Sequence, residues 1–117
     1  MAYIDCYIIP VPKDRLDDYW KMAELGRTVW LEHGALTYSE ALADDAPVGE
    51  TTSFPRAVQL KDDEAVIVGH VTYRDRAHRD AVNARVMADP RLKMDMSKMP
   101  FDGKRLIFGG FEVKVAG

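Results

Sequence analysis

The chain has 117 residues, of which 47% are hydrophobic and 30% charged, with 16 Lys and Arg against 19 Asp and Glu. That length suits a single domain over residues 1–117, and the composition is typical of a globular protein rather than a disordered one. The charged residues are scattered along the chain and give a net charge of −3, which argues against a nucleic-acid partner. No apolar run approaches the roughly 18 residues of a membrane span. A lone Cys6 fits a reducing cytoplasm.

A strand and a long helix are predicted at the start of the chain. Residues 3–11 are rich in β-branched and aromatic side chains on both faces, and Pro10 and Pro12 are expected to end the strand because proline cannot donate to a sheet ladder. Residues 13–33 carry large apolar side chains at helical spacing. Asp14 is the predicted N-cap, and Gly34 is expected to take the left-handed conformation that ends many helices.

The middle of the chain predicts further strands around a polar loop. Residues 36–43 alternate as in a strand, with Tyr38 and Glu40 on one face. Residues 44–56 are dense in turn formers, and a loop of that length is usually functional or mobile. A short strand is predicted over residues 57–60, and residues 65–73 predict the clearest strand of the chain.

The last part predicts a second helix and a final strand. Asp75 is the expected cap of a helix that ends near Ala88, with a stripe of alanines that would let it lie close against a sheet. The Asp89-Pro90 pair then stops the helix. Residues 91–99 fit either a helix or a strand, and residues 106–115 predict the last strand.

This order of elements is that of the ferredoxin-like βαββαβ arrangement, an α+β fold with an antiparallel sheet. Two helices cover only one face of such a sheet, yet the strands at residues 3–11, 65–73 and 106–115 are apolar on both faces. A soluble monomer should not leave the second face in water. We therefore expect a homodimer, a dimeric α/β barrel in which two sheets pack face to face.

The histidines are the first candidates for chemistry, because imidazole titrates near neutral pH. His70 alternates with valines along its strand and is interpreted as a hydrogen-bonded core residue. His78, beside several arginines, is expected at the surface, and His33 is favoured at a helix C-terminus by the helix dipole. No metal-ligand spacing occurs, so neither a metal nor another cofactor is predicted, and a metal ion near Glu40, Asp44 or a histidine is a minor alternative.

The methionines near the C-terminal end form a second candidate feature. Met94, Met96 and Met99 lie close to Phe101 in the sequence. Thioethers adapt to irregular apolar surfaces, so this segment would line a pocket mouth or a dimer seam, and packing in the core is the simpler interpretation.

Several stretches together resemble the YbaA-like family of small bacterial proteins, which belongs to the dimeric α/β-barrel superfamily with the ferredoxin-like fold. The stretches are spread over nearly the whole chain, and the most specific lies near the C-terminus. They are Gly34-Ala35-Leu36, Ala57-Val58, Arg79-Asp80-Ala81 with Asn83, Asp89-Pro90-Arg91, Met99-Pro100-Phe101-Asp102-Gly103-Lys104-Arg105 and Gly109-Gly110-Phe111-Glu112.

The resemblance implies a small-molecule-binding or enzyme-like barrel with an apolar cavity between sheet and helices. Four strand residues are the candidates that could line it: Tyr7, Tyr38, His70 and Phe108. The resemblance also puts forward a polar set consisting of Arg79, Asp80, Asn83, Asp89 and Arg91. The alternative is a non-catalytic dimeric module that binds another protein through its dimer or its loop at residues 44–56. No catalytic residue is assigned, and whether the protein is an enzyme stays open at this point.

Overall fold

A computed structural model describes residues 2–93 and 96–117 of the chain. The strands and α-helices follow one another in the order β1 (Tyr3–Pro12), α1 (Leu16–Glu32), β2 (Thr37–Leu42), α2 (Phe54–Ala57), β3 (Glu64–Tyr73), α3 (Arg76–Met87) and β4 (Ile107–Glu112). Short 3-10 helices occur at Lys13–Arg15, Pro90–Leu92 and Met96–Lys98. None of the helices within the described residues is both long and apolar enough to cross a membrane.

The strands form one antiparallel sheet in the order β2-β3-β1-β4. The two central strands, β1 and β3, pair along their whole length, from Tyr3 opposite Tyr73 to Pro12 opposite Glu64. Edge strand β4 joins β1, and edge strand β2 joins β3. This topology confirms the α+β, ferredoxin-like prediction, with α1 and α3 as the two crossover helices.

Helices α1 and α3 cover one face of the sheet, which we call the inner face. Two clusters of buried side chains fill the space between them and the strands. One joins Val29 of α1 and Val82 of α3 to Val71 of β3. The other joins Tyr19 of α1 to Ile9 of β1. Burying side chains of this size against one another supplies the main driving force for the fold.

The ends of β1 and α1 differ in part from the prediction. Strand β1 runs through Pro10 to Pro12, because β4 pairs only as far as Ile8 and a proline is tolerated where no neighbouring strand needs its N–H. Helix α1 has Arg15 at its N-cap, without a side-chain cap, so the prediction of Asp14 as the cap is wrong. Gly34 has a φ of 113°, which confirms a left-handed residue after the helix.

The short strand predicted over residues 57–60 is not formed. Ser53 instead accepts a hydrogen bond from the backbone N–H of Arg56 and begins the one-turn helix α2, with Pro55 in its first turn. The loop before it is held by the side chain of Arg56, whose Nε donates to the carbonyl oxygen of Val48 at 2.9 Å and whose Nη2 donates to that of Gly49 at 2.8 Å.

Helix α3 begins at the predicted cap but packs through a different face. The Asp75 side chain accepts from the backbone N–H of His78 at 2.7 Å. The buried residues are His78, Val82 and Val86 at helical spacing, whereas the predicted alanine stripe is exposed. The prediction that His78 lies at the surface is therefore wrong: its Nδ1 accepts from the backbone N–H of Arg74 at 3.0 Å.

The opposite face of the sheet, which we call the outer face, has no helix on its central part. It includes Ile4 and Ile8 of β1, with Val68, Ile107 and Phe111 exposed by 41%, 41% and 54%. The strands place one acidic residue on this face at its end, the ion-paired Glu64, and no other Asp, Glu, Lys or Arg within their bounds. Ser39 and His70 add polar groups towards β2, but so much exposed apolar surface is unusual on a monomer.

One end of the outer face is closed by an arginine. Arg105 donates to both carboxylate oxygens of Glu64, at 2.7 and 2.6 Å, and to the carbonyl oxygens of Val58 and Gln59. The side chains of Glu64 and Arg105 are only 4% and 13% exposed. The hydrogen bonds from Arg105 to its carboxylate lower the pKa of Glu64, and those to Val58 and Gln59 connect the segment after α2 to the start of β3.

We expect Arg105→Gln to reduce the free energy of unfolding at pH 7 by on the order of 3 kcal/mol, because it leaves the Glu64 carboxylate buried without a cation. The lowered pKa of Glu64 makes its contribution complete above the carboxyl's unfolded pKa and lost as the pH falls through the folded pKa. Urea unfolding at pH 7 and pH 4 should therefore show a larger effect of the substitution at pH 7. The exposed Arg27–Glu24 pair provides the control, Arg27→Gln, for which we expect less than about 1 kcal/mol. Equal effects of the two substitutions would contradict the assignment.

Candidate functional site

A cavity of about 500 Å³ lies between the inner face of the sheet and helices α1 and α3. Its walls are mainly apolar and include side chains from the sheet and from both helices. Aromatic residues make up much of the lining: Tyr7, Tyr19, Trp30, Tyr38, Tyr73, Phe101 and Phe108. Phe108 on edge strand β4 is 83% exposed, so it stands at an open side of the cavity.

Glu40 is the acidic centre of one polar group in this cavity. Its Oε1 accepts a hydrogen bond from the hydroxyl of Tyr19 on α1, and its Oε2 accepts from the hydroxyl of Tyr38 at 2.7 Å. Tyr38 and Glu40 share a face of β2, as their alternation predicts. A carboxylate beside apolar walls is costly unless it is hydrogen-bonded, so these phenols are what allow Glu40 to lie there.

Tyr7 reaches the same group from β1 by crossing the neighbouring strand. Tyr7 lies opposite Gly69, and Gly69 lies opposite Glu40, so the three form one row across the sheet. A Cβ at Gly69 would overlap the ring and hydroxyl of Tyr7. The missing side chain is therefore what lets the Tyr7 ring extend across β3 towards Glu40 and Tyr38.

A glycine in helix α1, Gly26, makes room for Tyr38 in the same way. A Cβ at Gly26 would lie 2.9 Å from the Tyr38 hydroxyl oxygen. Burial is the largest cause that raises the pKa of Tyr7, Tyr19 and Tyr38 above the ordinary tyrosine value. The three phenols are therefore neutral at physiological pH and act as hydrogen-bond donors.

Asn83 on α3 is the centre of a second polar group. Its Oδ1 accepts from Nε1 of Trp30 and from the hydroxyl of Tyr73, each at 3.3 Å. Trp30 also has its ring 5.9 Å from that of Tyr38, so it lies between the two polar groups of the cavity. Burial raises the pKa of Tyr73, which keeps this phenol a donor as well.

Arg79 contributes a cation to the cavity wall, and that cation is paired. Its Nη1 lies 3.4 Å from Oδ1 of Asp5, and its Nη2 donates to the Tyr3 hydroxyl at 3.1 Å. The guanidinium lies over the Tyr3 ring, 4.9 Å from the centroid. Its Nε lies 3.1 Å from Oδ1 of Asp80 but is buried without a hydrogen bond.

The structure brings three of the four predicted cavity residues together. Tyr7, Tyr38 and Phe108 line the cavity, whereas His70 lies on the outer face, exposed, with Nδ1 2.9 Å from the Ser39 hydroxyl. The interpretation of His70 as a core residue and as a cavity residue is therefore wrong. Alternation correctly separated the two faces of β3, but the helices cover the face opposite to His70.

The polar set that the family resemblance put forward divides among three places, with Asp80 exposed on α3 beside Arg79. Arg79 and Asn83 line the cavity. Asp89 and Arg91 lie instead at the end of α1, where Asp89 Oδ2 is 2.9 Å from Nε2 of His33 and accepts from Nη2 of Arg91 at 2.8 Å. These hydrogen bonds hold the pKa of Asp89 well below its usual range. This group joins the segment after α3 to α1.

Two further predictions concern methionines and metals. Met99 and Phe101 line the cavity, while Met94 and the Met96 side chain lie outside the described residues. Within residues 2–93 and 96–117, no three or more His, Cys, Asp or Glu side chains lie close enough together to hold a metal ion.

Comparison with known proteins adds the family. The family described as "Protein of unknown function (DUF1428)" matches residues 2–103. The chain belongs to this family. It is 42% identical over 112 residues to the "Uncharacterized protein YbaA" of Escherichia coli strain K12, a match that covers 96% of each chain. The protein of the same title from Shigella flexneri matches to the same extent. Among solved structures, the "De novo designed protein Foldit4" is similar with a TM-score of 0.48 and 6% identity, covering 97% of this chain and all of that one.

We expect Gly69→Ala to be destabilising, because the new methyl group takes the place of the Tyr7 ring. Overpacking of this kind costs about 1–3 kcal/mol. The matched comparison is the same substitution in a Tyr7→Leu background, where Gly69→Ala should cost much less. Equilibrium unfolding of the four proteins gives the coupling energy between the two positions. A coupling near zero would show that Gly69 is not there to admit Tyr7.

Proposed function

We propose that the protein binds a small, mainly apolar molecule in the cavity between its sheet and helices. The observation that carries the proposal is the combination of apolar walls with two converging polar groups, one centred on Glu40 and one on Asn83. The volume of about 500 Å³ falls within the range of small-molecule sites, about 300–1,000 Å³. A cavity that existed only through imperfect packing would not need a carboxylate with its own phenol donors.

The cost of the site supports the same proposal. Placing Glu40 in the cavity wall requires Tyr19 and Tyr38 as donors, and Gly69 makes room for the Tyr7 ring beside this group. An apolar side chain in place of Glu40 would pack there without any of these arrangements. Polar groups that need this much structural support are typical of binding sites, where they orient a ligand that apolar walls alone would leave free to rotate.

We further propose that the binding unit is a homodimer formed through the outer face. The face is apolar in its centre, and the only acidic residue that the strands place on it, Glu64, is neutralised by Arg105. In a two-fold dimer each surface meets itself, so a surface without net charge avoids the repulsion between identical charges. These features favour a second copy of the chain as the occupant of the face.

We expect Ala23→Leu to weaken binding of an uncharged probe by filling the cavity. Ala23 lines the cavity and is 8% exposed, whereas Ala84 on α3 is exposed and provides the matched control, Ala84→Leu. The probe is N-phenyl-1-naphthylamine, whose fluorescence rises in apolar surroundings. The unchanged protein and Ala84→Leu should bind it saturably, and Ala23→Leu at least about tenfold more weakly, because lost contact area raises the Kd. Indistinguishable titrations of all three proteins would overturn the proposal for the cavity.

We expect sedimentation equilibrium at micromolar concentration to give twice the chain mass of 13.2 kDa. Val68→Asp places a charge at the centre of the outer face and should produce the monomer, because a buried unpaired carboxylate is costly. Val115→Asp is the matched control at a residue that is 92% exposed, and it should leave the dimer intact. A monomeric unchanged protein would refute the dimer while leaving the cavity proposal standing.

A further inference from the structure

We propose that the molecule in the cavity is uncharged and carries a carbonyl oxygen, and that this oxygen accepts a hydrogen bond from Nδ2 of Asn83. The inference rests on the small-molecule binding proposed above and adds the chemical class of the ligand. Its basis is a donor in the cavity wall that the chain fixes in place and leaves without a partner.

The orientation of the Asn83 amide follows from its neighbours. Nε1 of Trp30 is a donor only, so the Asn83 atom that faces it at 3.3 Å must be the oxygen. The Tyr73 hydroxyl donates to the same oxygen at 3.3 Å. With Oδ1 fixed by two donors, Nδ2 points away from both, and it makes no hydrogen bond to any residue in the described part of the chain.

An unpaired N–H group in such a wall is suited to an oxygen acceptor. Asn83 lies in the lining of the cavity, so a bound molecule can reach its amide. Water reaches this N–H in the empty cavity, so a ligand acceptor contributes the modest net gain of one hydrogen bond. A ligand that lacks an acceptor covers the N–H without that gain.

The charges of the wall favour a neutral acceptor over a carboxylate. Arg79 lies one helical turn before Asn83 in the same cavity wall, and it is already held by Asp5, with Asp80 at its Nε. Glu40 adds a carboxylate to the same cavity. An anionic ligand would therefore meet two acidic side chains and no unpaired cation within the wall, apart from exposed Lys93. A ketone, an aldehyde or an amide meets no such repulsion.

The aromatic walls indicate the rest of the ligand. Trp30 lies between the Glu40 and Asn83 groups, with Tyr38 beside its ring and Asn83 at its Nε1. A planar ring in the cavity can stack on such side chains while its carbonyl group reaches the Asn83 amide. An aromatic ketone is therefore the simplest probe of the site.

The test compares three molecules of similar size by NMR of the 15N-labelled protein, with the Trp30 Nε1–H signal as the readout. Acetophenone has the carbonyl oxygen, ethylbenzene lacks it, and benzoate carries a charge. We expect acetophenone to bind about fivefold to tenfold more tightly than ethylbenzene, since the net gain of one hydrogen bond corresponds to roughly that ratio. We expect benzoate to bind more weakly than acetophenone.

Asn83→Asp is the sharpest variant, because it keeps an oxygen for Trp30 and Tyr73 and replaces the donor with a second oxygen. It should abolish the preference for acetophenone over ethylbenzene. If this variant does not fold, the ratio measured on the unchanged protein still decides the question. Equal binding of acetophenone and ethylbenzene, or tighter binding of benzoate, would overturn the ligand class and leave the proposed function in place. Binding of none of the three at millimolar concentration would overturn both.

Discussion

A carboxylate in an apolar cavity is the constraint around which the inner side of this protein is built. Glu40 lies among aromatic side chains, and it is tolerated there because phenols from separate elements donate to it. Those phenols come from α1 and β2, and Tyr7 extends to the same place from β1. The group therefore links the helix layer to both a central and an edge strand, and the glycines at positions 26 and 69 make room for it. Removing that room would alter packing and polarity together.

The two faces of the sheet use the same strands but have different surroundings. The inner face is covered by α1 and α3, which leave the cavity between them. The outer face has an ion pair, Glu64 with Arg105, only at its end, and apolar side chains in its centre. Because neighbouring residues of a strand point in opposite directions, a substitution in β1 changes the side chains of the inner face or of the outer face but rarely of both. This separation is what makes the cavity and the outer face independently testable.

Local patterns in the sequence predict most of the fold but less of the site. Strand alternation, the Asp75 cap and the Gly34 helix end are all present as predicted, because each depends on a few neighbouring residues. The short strand at residues 57–60 fails because capping by Ser53 outweighs strand propensity there. Alternation separates the faces of β3 but does not indicate which face the helices cover, so the sequence alone wrongly predicts a core position for His70. For His78, the apolar spacing with Val82 and Val86 is a signal that indicates burial.

The roles of Tyr19 and Asn83 depend on contacts between residues 21 and 53 positions apart in the chain. No local sequence pattern predicts these contacts. Gly26 and Gly69, which make room for Tyr38 and Tyr7, are the sequence feature that goes with them.

The shared central strands give the two proposed features a physical connection. In β1, Asp5 and Tyr7 point towards the cavity, while Ile4 and Ile8 on either side of them point to the outer face. A second copy packed on the outer face would place close-packed atoms on both sides of β1 and β3, and close-packed interiors deform little. The floor of the cavity would then be held in one shape, with Tyr7 fixed over Gly69 before any ligand arrives. A site that is fixed in advance loses less freedom when it binds, which favours a homodimer as the form that binds the ligand most tightly.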